Sequence, residues 1–162
     1  MPMTLADNLA KAENLLAGFK DNPILNHIGG QSIPAASGQT FDSISPIDMR
    51  HLATVSRGDA DDIDNAARVA ADAFPEWRDM DGAKRREILN RIADGIVARA
   101  EEIALIESID TGQALRFMSK AALRAAENFR FFADMAPRAR DGKSLFAVGQ
   151  MNVTSRRPIG PV

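Results

Sequence analysis

A chain of 162 residues with a net charge of −2, 45% apolar and 26% charged residues, has the length and balance of one soluble globular domain. That charge provides no field to gather nucleic acid or an anionic membrane, and no apolar run reaches the roughly 20 residues of a membrane span. The sequence contains no cysteine, which excludes a thiolate nucleophile, a disulfide or a thiolate–zinc site within it.

The opening residues, MPMTLADNLAKAENLLAGFK, lack the basic start and continuous apolar core of a signal peptide, so a cytoplasmic location is expected. Thr4 predicts an N-cap for a helix over about residues 5–19, with Leu5, Leu9, Ala12, Leu16 and Phe19 as its apolar face. Asp21-Asn22-Pro23 should stop it. Gly29-Gly30 lies between two short apolar runs and predicts a tight hairpin, because glycine accepts the positive φ that such turns demand. A second hairpin is expected from TFDSIS to HLATVSRG, turning near Pro46-Ile47-Asp48-Met49.

The middle of the chain has helical periodicity. Asp59 predicts the cap of a helix whose stripe is Ile63, Ala66, Ala67, Ala70 and Phe74, with Pro75 ending it and Trp77 anchoring the turn. Asp81 should cap the next, with Ile88, Leu89, Ile92, Ala93, Ile96 and Val97 as a wide buried face. Helical periodicity continues through Ile103, Ile106 and Ile109 to a stop at Gly112. A further helix from about Leu115 to Ala136 places Ala121, Ala125, Asn128, Phe129, Phe132 and Met135 on one side. SLFAV and QMNVTSR then predict two strands around Gly149, and the chain runs out in the uncharged Ile159-Gly160-Pro161-Val162.

Candidate sites divide by their simplest physical explanation. Asp59, Asp61, Asp62 and Asp64 suit a cation, but carboxylates in a first helical turn are also favoured by the free N–H groups and the helix dipole. Lys84-Arg85-Arg86 with Arg91 could hold phosphate; apolar residues begin directly after the run, which favours a solvated helix face. The stretch Asp141-Gly142-Lys143-Ser144 resembles the tail of a P-loop, yet Pro137 stands where that motif needs glycine. His27 and His51 have no second ligand at a useful spacing. Asp110 faces the unfavourable end of a helix dipole, which a bound cation, a capping contact or solvent must compensate; equally, an Asp ahead of Thr-Gly is an ordinary turn former.

Several segments, in order, resemble the N-terminal part of the NAD(P)-dependent aldehyde dehydrogenase superfamily. They are HIGGQSIPAASGQTFDSISPIDMRHLATVSRGDADDIDNAARVAADAFPEW, RREILNRIADGIVARAEEIALIESIDTGQAL, NFRFFADMA, DGKSL and TSRRPIGPV, which together span about residues 27–162. The first helix and the stretch from Asp110 to Ser144 are similar to 5-carboxymethyl-2-hydroxymuconate semialdehyde dehydrogenases of aromatic-acid catabolism. Where the family commonly has Asn-Pro-Ala-Thr-Gly-Glu, this chain has Ser45-Pro46-Ile47-Asp48-Met49-Arg50, and losing glycine there should reshape the hairpin.

The resemblance implies an incomplete α/β fold: residues 1–147 as the N-terminal helices and short β-hairpins of an NAD(P)-binding domain, 148–158 as a bridging strand that supports homo-oligomers, and 159–162 as the start of the nucleotide-binding sheet. It implies a parent enzyme that oxidises an aldehyde or semialdehyde with NAD or NADP. It also implies a monovalent cation site at Asp110 with backbone carbonyls near Ser43 and Ile44. No catalytic or cofactor-binding residue falls within these residues: the family's attacking cysteine, oxyanion-stabilising asparagine, glutamate base and cofactor-binding residues belong to later segments. The expectation is therefore an N-terminal portion, inactive by itself and binding no NAD alone, with a non-catalytic interaction or regulatory module as the alternative.

Overall fold

The computed structural model describes residues 4–20 and 22–162; Asp21, to which the sequence assigns part of a helix stop, lies outside them, as do residues 1–3. Helix α1 (Leu5–Ala17) begins with a reciprocal capping box: the Asp7 N–H donates to Thr4 Oγ1 at 3.2 Å, and the Thr4 N–H donates back to Asp7 Oδ2 at 2.9 Å. Of its predicted face, Ala12 and Leu16 are buried, while Leu5 and Leu9 remain exposed. The packing of α1 against α4 covers only the C-terminal half of the stripe.

Three two-stranded antiparallel hairpins carry the β structure. Strands β1 (Asn26–Ile28) and β2 (Gln31–Ile33) are joined by Gly29 and Gly30 at φ of 61° and 77°, the left-handed pair that a two-residue turn requires. Strands β3 (Thr40–Ile44) and β4 (His51–Ser56) pair with a register shift between Ser43 and Ile44, and Ile24 adds a bridge to Val55 at the edge. Their turn keeps the left-handed conformation in spite of the missing glycine: Met49 sits at φ 61°. Ser45 locks the turn from within. It is 1% exposed, donates its N–H to the Arg50 carbonyl at 2.9 Å, and accepts from Met49 N–H at 2.9 Å through its own carbonyl.

Helix α2 (Ala60–Asp79) runs through Pro75 rather than ending there. Proline removes one i→i−4 hydrogen bond, but the next turn closes again, with Met80 N–H donating to the Glu76 carbonyl at 3.0 Å. Its predicted stripe does not form the inner face: Ile63, Ala67 and Ala70 are exposed. The helix instead meets the hairpins through Asp62 and through Val69, whose Cγ1 is 3.2 Å from where a Cβ on Gly29 would stand.

The principal core lies among α3 (Gly82–Ala98), α4 (Ala100–Thr111) and α5 (Leu115–Met135). The helical run after Asp81 breaks at Arg99, so α4 turns away and packs on α5 and α1. The buried positions are largely alanine: Ala93, Ala104, Ala122, Ala126 and Ala133, with Leu105 and Met118. Small residues let helix axes approach closely, and this is why the buried face of α5 is Met118-Ala122-Ala126-Ala133 rather than the predicted one containing Phe132 and Met135, which are exposed. Ile92 and Val97 of α3 are likewise at the exposed limit of their face. A 3-10 turn (Ala136–Arg138) leads to β5 (Lys143–Ala147) and β6 (Gln150–Thr154), the hairpin predicted around Gly149.

Candidate functional site

The end of α4 meets the β3–β4 turn. Gly112 caps the helix in a left-handed conformation, φ 73°, with its N–H on the Ser108 carbonyl at 3.0 Å. A Cβ added at Gly112 would stand 3.1 Å from Pro46 Cγ, so the cap and the turn are in near contact. Thr111 Oγ1 donates to the Glu107 carbonyl and Ser108 Oγ to the Gln113 carbonyl, each at 2.6 Å, which ties the last helical turn to itself and to the residue after the cap.

This geometry brings Asp110 to β3, where the Ser43 hydroxyl donates to Asp110 Oδ1 at 2.8 Å. Two of the three residues expected around a cation are thus in contact, through the Ser43 hydroxyl rather than its carbonyl, and Ile44 pairs with His51 across a register shift whose extra residue is Leu52 of β4. Carboxylate, hydroxyl and carbonyl oxygens are the donor types that hard cations take, and the contact between the Ser43 hydroxyl and Asp110 already compensates the carboxylate at the helix end. Among the described residues no cluster of three or more His, Cys, Asp or Glu could hold a metal through side chains alone. Beside it, the Asp48 carboxyl is held below the usual carboxylate range, first by the Ser45 hydroxyl, with burial opposing and the Arg50 N–H and charge assisting. Arg50 Nε lies 3.2 Å from Asp48 Oδ2, close enough for charge attraction but without hydrogen-bond geometry, while its guanidinium bonds Glu13 of α1.

The other sequence candidates resolve into structural roles. Asp59 Oδ1 accepts from the Asp61 N–H at 3.1 Å as the cap of α2. Asp62, 6% exposed, accepts the Asp59 N–H on one oxygen and the Ala36 N–H on the other, both at 3.0 Å, and so ties the loop after β2 to the helix start. Arg85 donates to the Met80 carbonyl and Arg86 pairs with Asp134 at 2.8 Å, as a helix face would. His51 Nε2 stands 3.3 Å from both Asp42 Oδ1 and Thr54 Oγ1 on an exposed hairpin face. What the sequence reading missed is a gathering of arginines at 78, 85, 140, 156 and 157 around one cleft, for which only the Arg156-Arg157 pair gave a local signal.

The residues present do not form a dinucleotide cradle. Such a site needs a glycine-rich turn leading from a parallel strand into a helix, and the strands among the described residues pair only as antiparallel hairpins. No described helix is long and apolar enough to cross a membrane.

Comparison with known proteins places this architecture. The family model described as the aldehyde dehydrogenase family matches residues 33–162. The 2-hydroxymuconic semialdehyde dehydrogenase of Pseudomonas sp. strain CF600 is 34% identical over 145 residues, covering 86% of this chain and 30% of that protein. The NADP/NAD-dependent aldehyde dehydrogenase PuuC of Escherichia coli K12 is 31% identical over 138 residues, covering 83% and 28%. The crystal structure of HpcC from Thermus thermophilus superposes with a TM-score of 0.82 at 34% identity, over 86% of this chain and 27% of that one. The chain belongs to the aldehyde dehydrogenase family, and its mixed helix-and-hairpin fold is part of that family's larger domain. It spans between about a quarter and a third of the length of these relatives, 27–30%.

Proposed function

We propose that the chain is the N-terminal portion of an NAD(P)-dependent enzyme that oxidises an aldehyde, specifically a semialdehyde of aromatic-acid catabolism, to the carboxylic acid in the cytoplasm. The observation that carries this reading is the family match over residues 33–162, in a chain 34% identical to a 2-hydroxymuconic semialdehyde dehydrogenase. Residues 1–147 would support the cofactor-binding domain, and 148–158 would bridge subunits of a homo-oligomer.

Oxidation of an aldehyde by hydride transfer to a nicotinamide requires a covalent adduct on a thiolate in this family, and the chain has no cysteine to provide one. NAD(P), when bound to the complete enzyme, accepts the hydride. The contribution of these residues is positional: the alanine-lined helix core and the Ser45-centred turn give the remaining domain a rigid support. Purified chain mixed with NAD, NADP and a panel of semialdehydes is expected to generate no NADH or NADPH; turnover would overturn the proposal of inactivity. A second reading, a non-catalytic interaction module derived from the family, is favoured by the exposed apolar β5–β6 hairpin. A reading frame that continues past Val162 into a cysteine-containing segment decides for the enzyme.

The cation site belongs to the same proposal. Asp110, with carbonyls at Ser43 and Ile44, would hold a monovalent ion and neutralise the carboxylate at the helix end. Potassium chloride should then raise the melting midpoint above choline chloride at equal ionic strength, and Asp110→Asn should remove that difference. An equal midpoint in both salts for the unaltered chain would refute the site.

A further inference from the structure

Four segments remote in sequence converge on one side of the molecule: the last turn of α2, the first turn of α3, the 3-10 turn after α5, and residues 155–158 after β6. Between them lie two adjoining clefts of about 190 and 450 Å³. Arg78, Arg85, Arg140, Arg156 and Arg157 line these two; a third cleft of about 570 Å³ adjoins them at Trp77, Arg85 and Arg156 and adds Asp134, which pairs with Arg86 at 2.8 Å, so the carboxylate within the first two is that of Asp79. That carboxylate is already committed: Arg78 holds both its oxygens, at 2.8 and 2.7 Å. Its pKa is lowered chiefly by that hydrogen bond, and only least by the charge of Arg140. Arg85 is turned to the Met80 carbonyl. Among the described residues, Arg156 and Arg157 make neither a hydrogen bond nor an ion pair.

A surplus of positive charge is unexpected in a chain whose total is −2. Like charges gathered in one place oppose folding unless something else collects them, and a cleft with apolar walls strengthens their common field. The apolar wall here is Trp77 with Pro158 and Ala139. The arrangement is held by backbone contacts rather than by flexible side chains. A Cβ at Gly82 would stand 2.7 Å from the Ala136 carbonyl oxygen, so the start of α3 is pressed against the 3-10 turn. A Cβ at Gly142 would stand 2.1 Å from the Thr154 oxygen, so the hairpin stem that delivers Arg156 and Arg157 is equally close-set.

We propose that this cleft binds a small, multiply charged oxyanion of the phosphate type, held by Arg140, Arg156 and Arg157 against the wall formed by Trp77. Guanidinium forks match the oxygen spacing of phosphate and bind it in pairs of parallel hydrogen bonds. The smaller cleft has room for such an ion with a few waters, since a water occupies about 30 Å³ of liquid. The proposal is tested without any turnover.

Pyrophosphate and inorganic phosphate are the probes, titrated into the chain by calorimetry and by following Trp77 fluorescence, the sequence having one tryptophan. Saturable binding of pyrophosphate is expected, with a Trp77 response that sodium chloride at equal ionic strength does not reproduce. Arg156→Glu with Arg157→Glu should weaken it at least about tenfold, as loss of charge-assisted bonds does, with circular dichroism unchanged. Arg124→Glu, on α5 away from the cleft, should leave it intact. Arg140→Lys keeps the charge but loses the fork, and should bind more weakly than the unaltered chain. Binding that chloride abolishes at equal ionic strength, or that survives the 156/157 substitution, overturns the proposal. So does saturation by an acidic peptide without saturation by pyrophosphate, which would mark a protein-docking surface instead.

Discussion

Replacing Met49 by glycine should stabilise the chain, although truncating a side chain usually does the opposite. Met49 is a non-glycine residue at φ 61°, a conformation that brings Cβ against the following carbonyl and costs about 1–2 kcal/mol. Its side chain is 75% exposed, so truncation forfeits little burial. Its N–H bond to the Ser45 carbonyl, 2.9 Å, belongs to the backbone and survives. Against the relief stands glycine's larger freedom in the unfolded chain, about 0.5–1 kcal/mol. The difference is a net gain of about 0.5–1 kcal/mol, or roughly 1–4 °C in melting midpoint for a domain of this size. Urea and thermal unfolding of Met49→Gly and Met49→Ala measure it, because alanine removes the same side chain but keeps the offending Cβ. Glycine should be the more stable of the two. If Met49→Gly is equal to or less stable than Met49→Ala, the left-handed strain assigned to this turn is wrong.

Asp62→Ala should lose about 2–3 kcal/mol in urea unfolding, since it strands the Asp59 and Ala36 N–H donors in a part-buried position; Asp62→Asn, which keeps one accepting oxygen, should lose about half as much, and equal losses would refute the two-donor account. The β5–β6 hairpin exposes Phe146, Met151 and Val153 and has no strand on either outer edge among the described residues, so the chain should self-associate with rising concentration. Light scattering should show Phe146→Glu with Val153→Glu shifting it toward monomer; a monodisperse monomer before substitution would contradict the expectation.

Local chemistry was legible in the sequence wherever a residue acts on its own neighbours. Thr4, Asp59 and Asp81 were readable as caps because a side chain two or three residues from free N–H groups reaches them whatever the rest of the fold does. Gly29-Gly30 and Gly112 were readable as turn and stop, since tolerance of positive φ is a property of the residue. The family resemblance was carried by the order of such segments. Helix faces were less legible: periodicity says that a stripe exists but not which part of it another element will cover, and so the alanine seam of α5, not its phenylalanines, became the core.

The sequence by itself determined the element order, the caps and turns, the absence of a thiolate, and membership in a recognisable family. Tertiary structure alone decided that Pro75 would be carried inside a helix, that Ser45 would hold Met49 left-handed, and that the Ser43 hydroxyl would reach Asp110 across 67 residues of sequence. It alone brought Arg140, Arg156 and Arg157 to one cleft with Arg78. The reason is physical: a cap or turn is settled by energies within a few residues, whereas a site assembled from distant segments exists only once packing has paired their faces.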